Sequence, residues 1–137
     1  MQNEIFISIK PVYCKKIKER KKLNEFRNYK PKNQIKRFWI YESSPTSALK
    51  YIADVSLPIE YPNKVEELAD GDDRFNNGEN GKYAFYIERL FQLEIPIELK
   101  ELKSDFSFTP PQGFAYTSTY PNLVDFVENK IRLNRVF

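Results

Sequence analysis

Lys22, Glu25 and Arg27 sit together in the segment Lys-Leu-Asn-Glu-Phe-Arg. If this segment is a strand, Glu25 and Arg27 are two apart and point to the same face, with Leu23 at its edge. A carboxylate beside a guanidinium forms a fixed pair, and the guanidinium also offers a planar fork to a phosphate or a base edge. Lys22 falls at the turn entering the strand, within reach of the same space. One reading is a polar cleft in which Lys22 and Arg27 hold a phosphate or base. Glu25 would then orient Arg27 or accept from a base amino group. The plainer reading is an ion pair that closes a barrel.

The rest of the composition narrows the chemistry. The 137 residues contain no histidine and one cysteine, Cys14. Histidine triads, histidine metal sites, internal disulfides and cysteine zinc clusters are therefore excluded. No cofactor and no metal is expected. The acidic stretch from Asp70 to Gly81 fails as a calcium loop, because Arg74 and Phe75 fall where an oxygen ligand and the turn glycine are required. Only four glycines occur, and no glycine-rich phosphate loop is formed.

The charge is uneven. Between Lys10 and Arg37 there are twelve lysines and arginines against Glu19 and Glu25, whereas the whole chain carries only +3. Such a field attracts phosphate groups, although charge runs are commonly no more than solvated surface. The longest uncharged stretch, Phe106 to Val124, contains three prolines and does not suit a membrane span. No apolar signal core begins the sequence. A cytoplasmic protein is expected, with one domain over 1–137.

Patterning gives the elements that must position these residues. Glu4–Lys10 is expected as a strand and Val12–Lys21 as a short amphipathic helix behind Pro11. Leu23–Arg27, Ile35–Glu42 and Ala48–Pro58 follow as strands, with a loop over Tyr29–Gln34. Asn63–Ala69 is expected to make a helical turn or two, and Asp70–Gly81 a flexible loop. Lys82–Ile95 reads as one long or bent strand, Ile97–Lys103 as a helical turn, and Phe106–Tyr116 as irregular. Asn122–Ile131 is a final helix opened by Pro121. The class is α+β: a curved mixed sheet or open barrel of about five to six strands with short helices at its ends.

Four ordered pieces of sequence resemble the ASCH domain family of the PUA-like superfold. Ser8-Ile9-Lys10-Pro11 is similar to the family's strand ending in S-I-K-P. After a basic helix, Lys22, Glu25 and Arg27 fall on the family's G-x-K-x-x-E-x-R, with Arg20 where glycine is usual. Ile40 to Pro45 resembles a strand ending in Y-x-S-x-P, and Pro110 to Phe114 a late P-P-Q-x-F segment. The resemblance implies a PUA-like barrel with a cleft between barrel and helices. It also implies an RNA-related function, binding RNA or a modified nucleotide, with DNA also conceivable.

On that basis the basic helix and loop are expected on the phosphate backbone, with the cleft around Lys22, Glu25 and Arg27 on a nucleotide. Candidate ligand-binding residues are Ser8, Lys10, Arg20, Lys21, Lys22, Glu25, Arg27, Tyr41, Ser43, Ser44, Gln112 and Tyr116. Tyr41 and Tyr116 would stack bases. Trp39 and Phe114 are weaker stacking candidates, since strand aromatics are more often core. A rival class is a small metal-independent hydrolase, a ribonuclease or nucleoside amidohydrolase, with Lys22, Glu25 and Arg27 moving protons and stabilising charge. The amidohydrolase branch uses a threonine three residues after its lysine. Here that position is Glu25, so the hydroxyl is missing. A third class is a regulatory module whose basic face meets an acidic protein.

Overall fold

The computed structural model describes residues 2–137. The chain runs β1 (Glu4–Ile9), α1 (Pro11–Lys18), β2 (Asn24–Arg27), β3 (Arg37–Glu42), β4 (Ala48–Val55) and β5 (Ile59–Glu60). It continues through α2 (Asp72–Asn76), β6 (Tyr83–Glu98), α3 (Leu99–Phe106), β7 (Ala115–Tyr116), α4 (Pro121–Lys130) and β8 (Leu133–Arg135). The strands form a curled mixed sheet in the order β2-β6-β4-β3-β1-β7, with β5 and β8 also paired to β6. β1 and β3 are parallel, Glu4 facing Arg37 and Ile9 facing Glu42. The expected α+β half-barrel is present.

Two apolar layers explain why β1, β3 and β4 read as nearly continuous hydrophobic runs. Ile5, Ile7, Ile9, Phe38, Ile40, Tyr51, Ala53, Phe85 and Ile87 fill the barrel, where Cys14 and Ile17 of α1 plug one end. The alternate residues Phe6, Trp39, Tyr41, Leu49 and Ile52 face outward under Leu102, Phe108, Leu123 and Val127. A strand buried on both faces loses the polar alternation of a surface strand. Phe6 sits at the centre of the outer layer, edge-on to Trp39, Phe108 and Tyr120. Across the sheet Asp54 is in register with both Arg37 and Arg89. Its carboxylate takes a 2.8 Å hydrogen bond from each. Partial burial pushes that acid upward, but the two guanidinium bonds and their charges outweigh it and hold it below the ordinary range.

β6 is the frame of the barrel. Its first residues pair with β2 on one side and β5 on the other, and its later ones with β4 and β8. Register shifts against β4 bend it out of one pairing and into the next.

Several expectations need correction. Asp70–Gly81 is not wholly loop, because it folds around α2, and Asn63–Ala69 makes no helix. The reason is a buried polar anchor that local propensity cannot reveal. Asp72 is fully buried; its carboxylate accepts from Asn24 Nδ2 at 3.0 Å and from the amides of Leu68 and Ala69 at 3.1 and 3.0 Å. Phe75 stacks on Phe26 beside it, at 5.5 Å between ring centroids. The helical turn expected from Ile97 begins only at Leu99, since Ile97 still pairs with Leu49. Three short strands have no sequence period of their own: β5 and β8 form against β6, and β7, in the stretch expected to be irregular, forms against β1.

Asp72→Ala removes three hydrogen bonds and strands the buried Asn24 amide. The expected cost is about 3 kcal/mol, measured as a fall in the urea midpoint. A change under about 0.5 kcal/mol would show that α2 is not an anchor for β2.

Candidate functional site

The end of α1 sets the site. Arg20 adopts a left-handed conformation (φ 62°), and the amides of Lys21 and Lys22 turn back to the carbonyl of Lys16 at 2.8 and 3.1 Å. This is a helix-terminating turn that favours glycine, which gives a physical reason for the glycine expected at position 20. Arg20 tolerates it while lying over the Phe137 ring at 4.3 Å and donating to the Ile87 carbonyl and the Tyr86 hydroxyl, each at 3.3 Å. The turn delivers Lys22 to the mouth of β2.

Lys22 is 6% exposed. Its ammonium donates to the carbonyl of Asn24 and lies 3.3 Å from Glu25 Oε1. The Phe26 ring is 4.5 Å away and the Tyr13 ring 5.9 Å. Burial lowers the pKa of Lys22, and the attraction of Glu25 only partly offsets it. The other oxygen of Glu25 takes Arg27 Nε and Nη2, both at 2.8 Å. Arg27 also donates from Nη1 to the Tyr29 hydroxyl at 3.2 Å and from Nη2 to the Ser8 carbonyl at 2.9 Å. Tyr29 passes the chain on to the Gly113 carbonyl at 2.7 Å, and the Ser8 hydroxyl donates to the Pro111 carbonyl at 2.7 Å. Burial raises the Tyr29 phenol, against the lowering effect of Arg27.

The structure therefore brings Ser8, Lys22, Glu25, Arg27 and the 110–114 segment into one network. Glu25 and Arg27 share a face as the strand period requires. The role of Arg27 differs from a free phosphate fork, because its donors are directed at Glu25, Tyr29 and Ser8. It positions Glu25 and leaves Lys22, the other cation on that carboxylate, at the wall of an open space. That space is a pocket of about 140 Å³ lined by Tyr13, Lys22, Glu25, Phe26, Asp70, Gly71, Arg74 and Asn80. Gly71 is obligatory there: its φ is 89°, and an added Cβ would lie 2.7 Å from Phe26 and 2.8 Å from Asn80. Lys16 reaches over to Asp70 at 3.0 Å.

Other expected residues are placed differently. Lys10 and Lys21 are exposed at the two ends of α1 and are not among the pocket walls. Tyr41 is buried in the outer apolar layer and presents no face for stacking, a correction that follows from the two-sided burial of β3. Trp39 is buried for the same reason, its indole N–H satisfied by Glu4 at 2.8 Å. Tyr116 and Phe114 are half-buried, edge-to-face at 5.5 Å. Ser43 bonds its amide to the Ile9 carbonyl at 2.9 Å, while Ser44 and Gln112 are exposed.

Sequence reasoning missed Tyr13, Asp70, Arg74 and Asn80 as pocket walls, and it missed Glu42. Buried Glu42 accepts from the Thr46 hydroxyl and lies 3.7 Å from Lys50. Burial and this carboxylate push the Tyr51 phenol up to about 12. Burial is also the main cause that drives the Cys14 thiol upward, Glu42 adding to it. Cys14 is thus a core residue and no nucleophile. Among the described residues no cluster of three or more His, Cys, Asp or Glu is arranged to hold a metal. No helix among them is long and apolar enough to cross a membrane.

No family model and no curated protein matches the chain by sequence. Solved structures match it by fold. The ASCH protein of Zymomonas mobilis superposes with a TM-score of 0.71 at 21% identity, covering 96% of this chain and 98% of that one. Its serine-to-alanine variant gives 0.66 at 25% identity over 91% and 96%. Its tyrosine-to-phenylalanine variant gives 0.65 at 24% identity over 90% and 97%. The fold is that of an ASCH domain. The ASCH fold accounts for the half-barrel strand order.

Removing Glu25 leaves two nearly buried cations unpaired, so Glu25→Gln is expected to cost about 3 kcal/mol. Lys22→Met, which removes a costly buried charge and keeps the Glu25–Arg27 pair, should fall within about 1 kcal/mol of the parent or above it. The folded chain releases the Lys22 proton at lower pH than the unfolded one. The parent therefore gains stability relative to Lys22→Met as pH rises from the folded Lys22 value toward 10.5, the ordinary lysine value. Parallel stability–pH curves for the two proteins would refute the burial of this amine. Native Cys14 should resist a thiol reagent at pH 8 and react fully in urea; rapid native labelling would contradict its placement.

Proposed function

We propose that this chain binds RNA, or a modified nucleotide within it, with a single nucleotide entering the pocket beside Lys22 and Glu25. The observation that supports this most is the arrangement at Lys22. A buried ammonium lies near the rings of Tyr13 and Phe26, next to a carboxylate, and opens on a small pocket. Tyr13 is partly exposed and offers a face to a base. Glu25 can accept from an exocyclic amino group, and Asn80 can donate to or accept from a base edge. Lys10, Lys15, Lys18 and Lys21, exposed along α1 and at its two ends, supply sequence-independent attraction for phosphates.

Hydrolysis is the second reading, favoured by one observation. An amine pushed toward its neutral form beside Glu25 suits proton transfer. The substrate would be RNA or a modified nucleoside, turned over in the presence of EDTA, with activity lost in Lys22→Met although the fold is kept.

The decisive experiment is a fluorescence anisotropy titration of labelled single-stranded RNA, duplex RNA and DNA at several salt concentrations, followed by inspection of the RNA for cleavage. If these four exposed cations meet phosphates, log K falls against log salt with a slope of about −3 for a single strand. Lys15→Ala with Lys18→Ala should reduce that slope by about 1.4. Absence of binding to any of the three nucleic acids at low salt would overturn the proposal. Intact RNA after binding favours a binding module, and cleaved RNA favours the hydrolase.

A further inference from the structure

The basic run from Lys10 to Arg37 does not form one patch. α1 leaves the C-terminal end of β1, after Ile9, whereas the loop from Asn28 to Lys36 returns to the N-terminal end of the same strand. There the amide of Lys36 bonds to the Asn3 carbonyl at 2.8 Å and Arg37 faces Glu4. The six residues of β1 separate the two basic ends by about 20 Å.

The loop end has features of a site in its own right. Lys30, Lys32 and Lys36 are exposed, and none of them makes an ion pair among the described residues. No acidic residue occurs between Phe26 and Tyr41. The carboxylates on neighbouring strands are engaged: Asp54 by Arg37 and Arg89, Glu4 by Trp39, and Glu88 by Ser56. Lys30 and Lys32 rim a cavity of about 190 Å³ whose wall includes Leu57, 59% exposed, together with Pro58 and Phe85. Between the two ends lies the Tyr29–Phe114 pair, half-buried and stacked at 5.4 Å, next to the Arg27–Ser8 contact. Cation, aromatic and cation in succession match a phosphate backbone with unstacked bases. An acidic protein would need only the charge.

We propose that the loop from Asn28 to Lys36, with Leu57, is a second contact for single-stranded RNA. One strand would run from the Lys22 pocket past Tyr29 and Phe114 to this loop. The inference rests on the RNA reading of the first pocket. It adds the substrate class: an extended strand long enough to span both ends, and neither a free nucleotide nor a duplex.

The test is affinity against length, using labelled oligouridylates of about 4 to about 16 nucleotides. The parent should bind the long strand at least about tenfold tighter than the short one. Lys30→Ala, Lys32→Ala and Lys36→Ala combined should lower the salt slope for the long strand by about 2 and leave the short strand unchanged. Leu57→Asp, an exposed position that folding tolerates, should weaken only the long strand. A photo-reactive uridine at one end of the long strand should label the Asn28–Lys36 peptide. If the short strand binds as tightly as the long one, or the loop variants leave both unchanged, the second contact is refuted while the first pocket stands. If neither strand binds, the pocket reading fails and the second contact with it.

Discussion

The barrel has one seam without a backbone ladder, and the guanidinium of Arg27 crosses it. β2 pairs with β6 on one side only, and β1, next to β7 at the far end of the sheet order, leaves its Ser8 carbonyl outside the ladder because β7 covers only Ile5 and Phe6. Arg27 bonds that carbonyl at 2.9 Å and is itself held by Glu25 at 2.8 Å. An open seam is a weakness in any curled sheet, since unpaired backbone groups in a partly buried position lose water without gaining a partner. A side chain closes it here and leaves a polar opening that a continuous ladder would have sealed. The pair that closes the seam therefore also borders the candidate pocket beside Lys22.

Around that seam the charges alternate in a short buried chain, Lys22 to Glu25 to Arg27. The central carboxylate serves two cations. This geometry limits the cost of desolvation, which otherwise exceeds the gain from a buried ion pair. It also divides labour. Arg27 is fully committed to protein acceptors, whereas Lys22 sits at the edge of the pocket with its charge weakened by burial. α2 completes the wall from behind: Asp72 ties it to Asn24, and Phe75 packs on Phe26, so the face of β2 opposite Glu25 and Arg27 is fixed by one polar and one apolar contact.

Sequence patterning was most informative where an element has a strong period of its own. The strands β1, β3 and β6 and the helices α1 and α4 lie close to where hydrophobic spacing and proline placed them. The shared face of Glu25 and Arg27 followed from the two-residue period of a strand. Patterning was least informative from Asn63 to Gly81. The segment is polar throughout, and its one helical turn depends on an aspartate whose partners lie on another strand. Tyr41 illustrates the opposite failure. Its neighbours Glu42, Ser43 and Ser44 suggest a polar rim, yet its own side chain points outward into a layer made by α3 and α4, far away in sequence.

What the sequence determined by itself is the chemistry at hand and the local elements. The absence of histidine and the single cysteine exclude whole classes of site. The strand and helix periods set most elements, and the segment from Lys22 to Arg27 names its own polar face. What only the tertiary structure decided is which groups meet. It split the basic run between two ends of β1, committed Arg27 to the seam, buried Glu42 beside Lys50, and built the pocket walls from Tyr13, Asp70, Arg74 and Asn80. The reason is physical. Local conformation follows from steric preferences and from periodicity over a few residues. Burial, charge pairing and the shift of the Lys22 amine depend on neighbours brought together by packing across tens of residues.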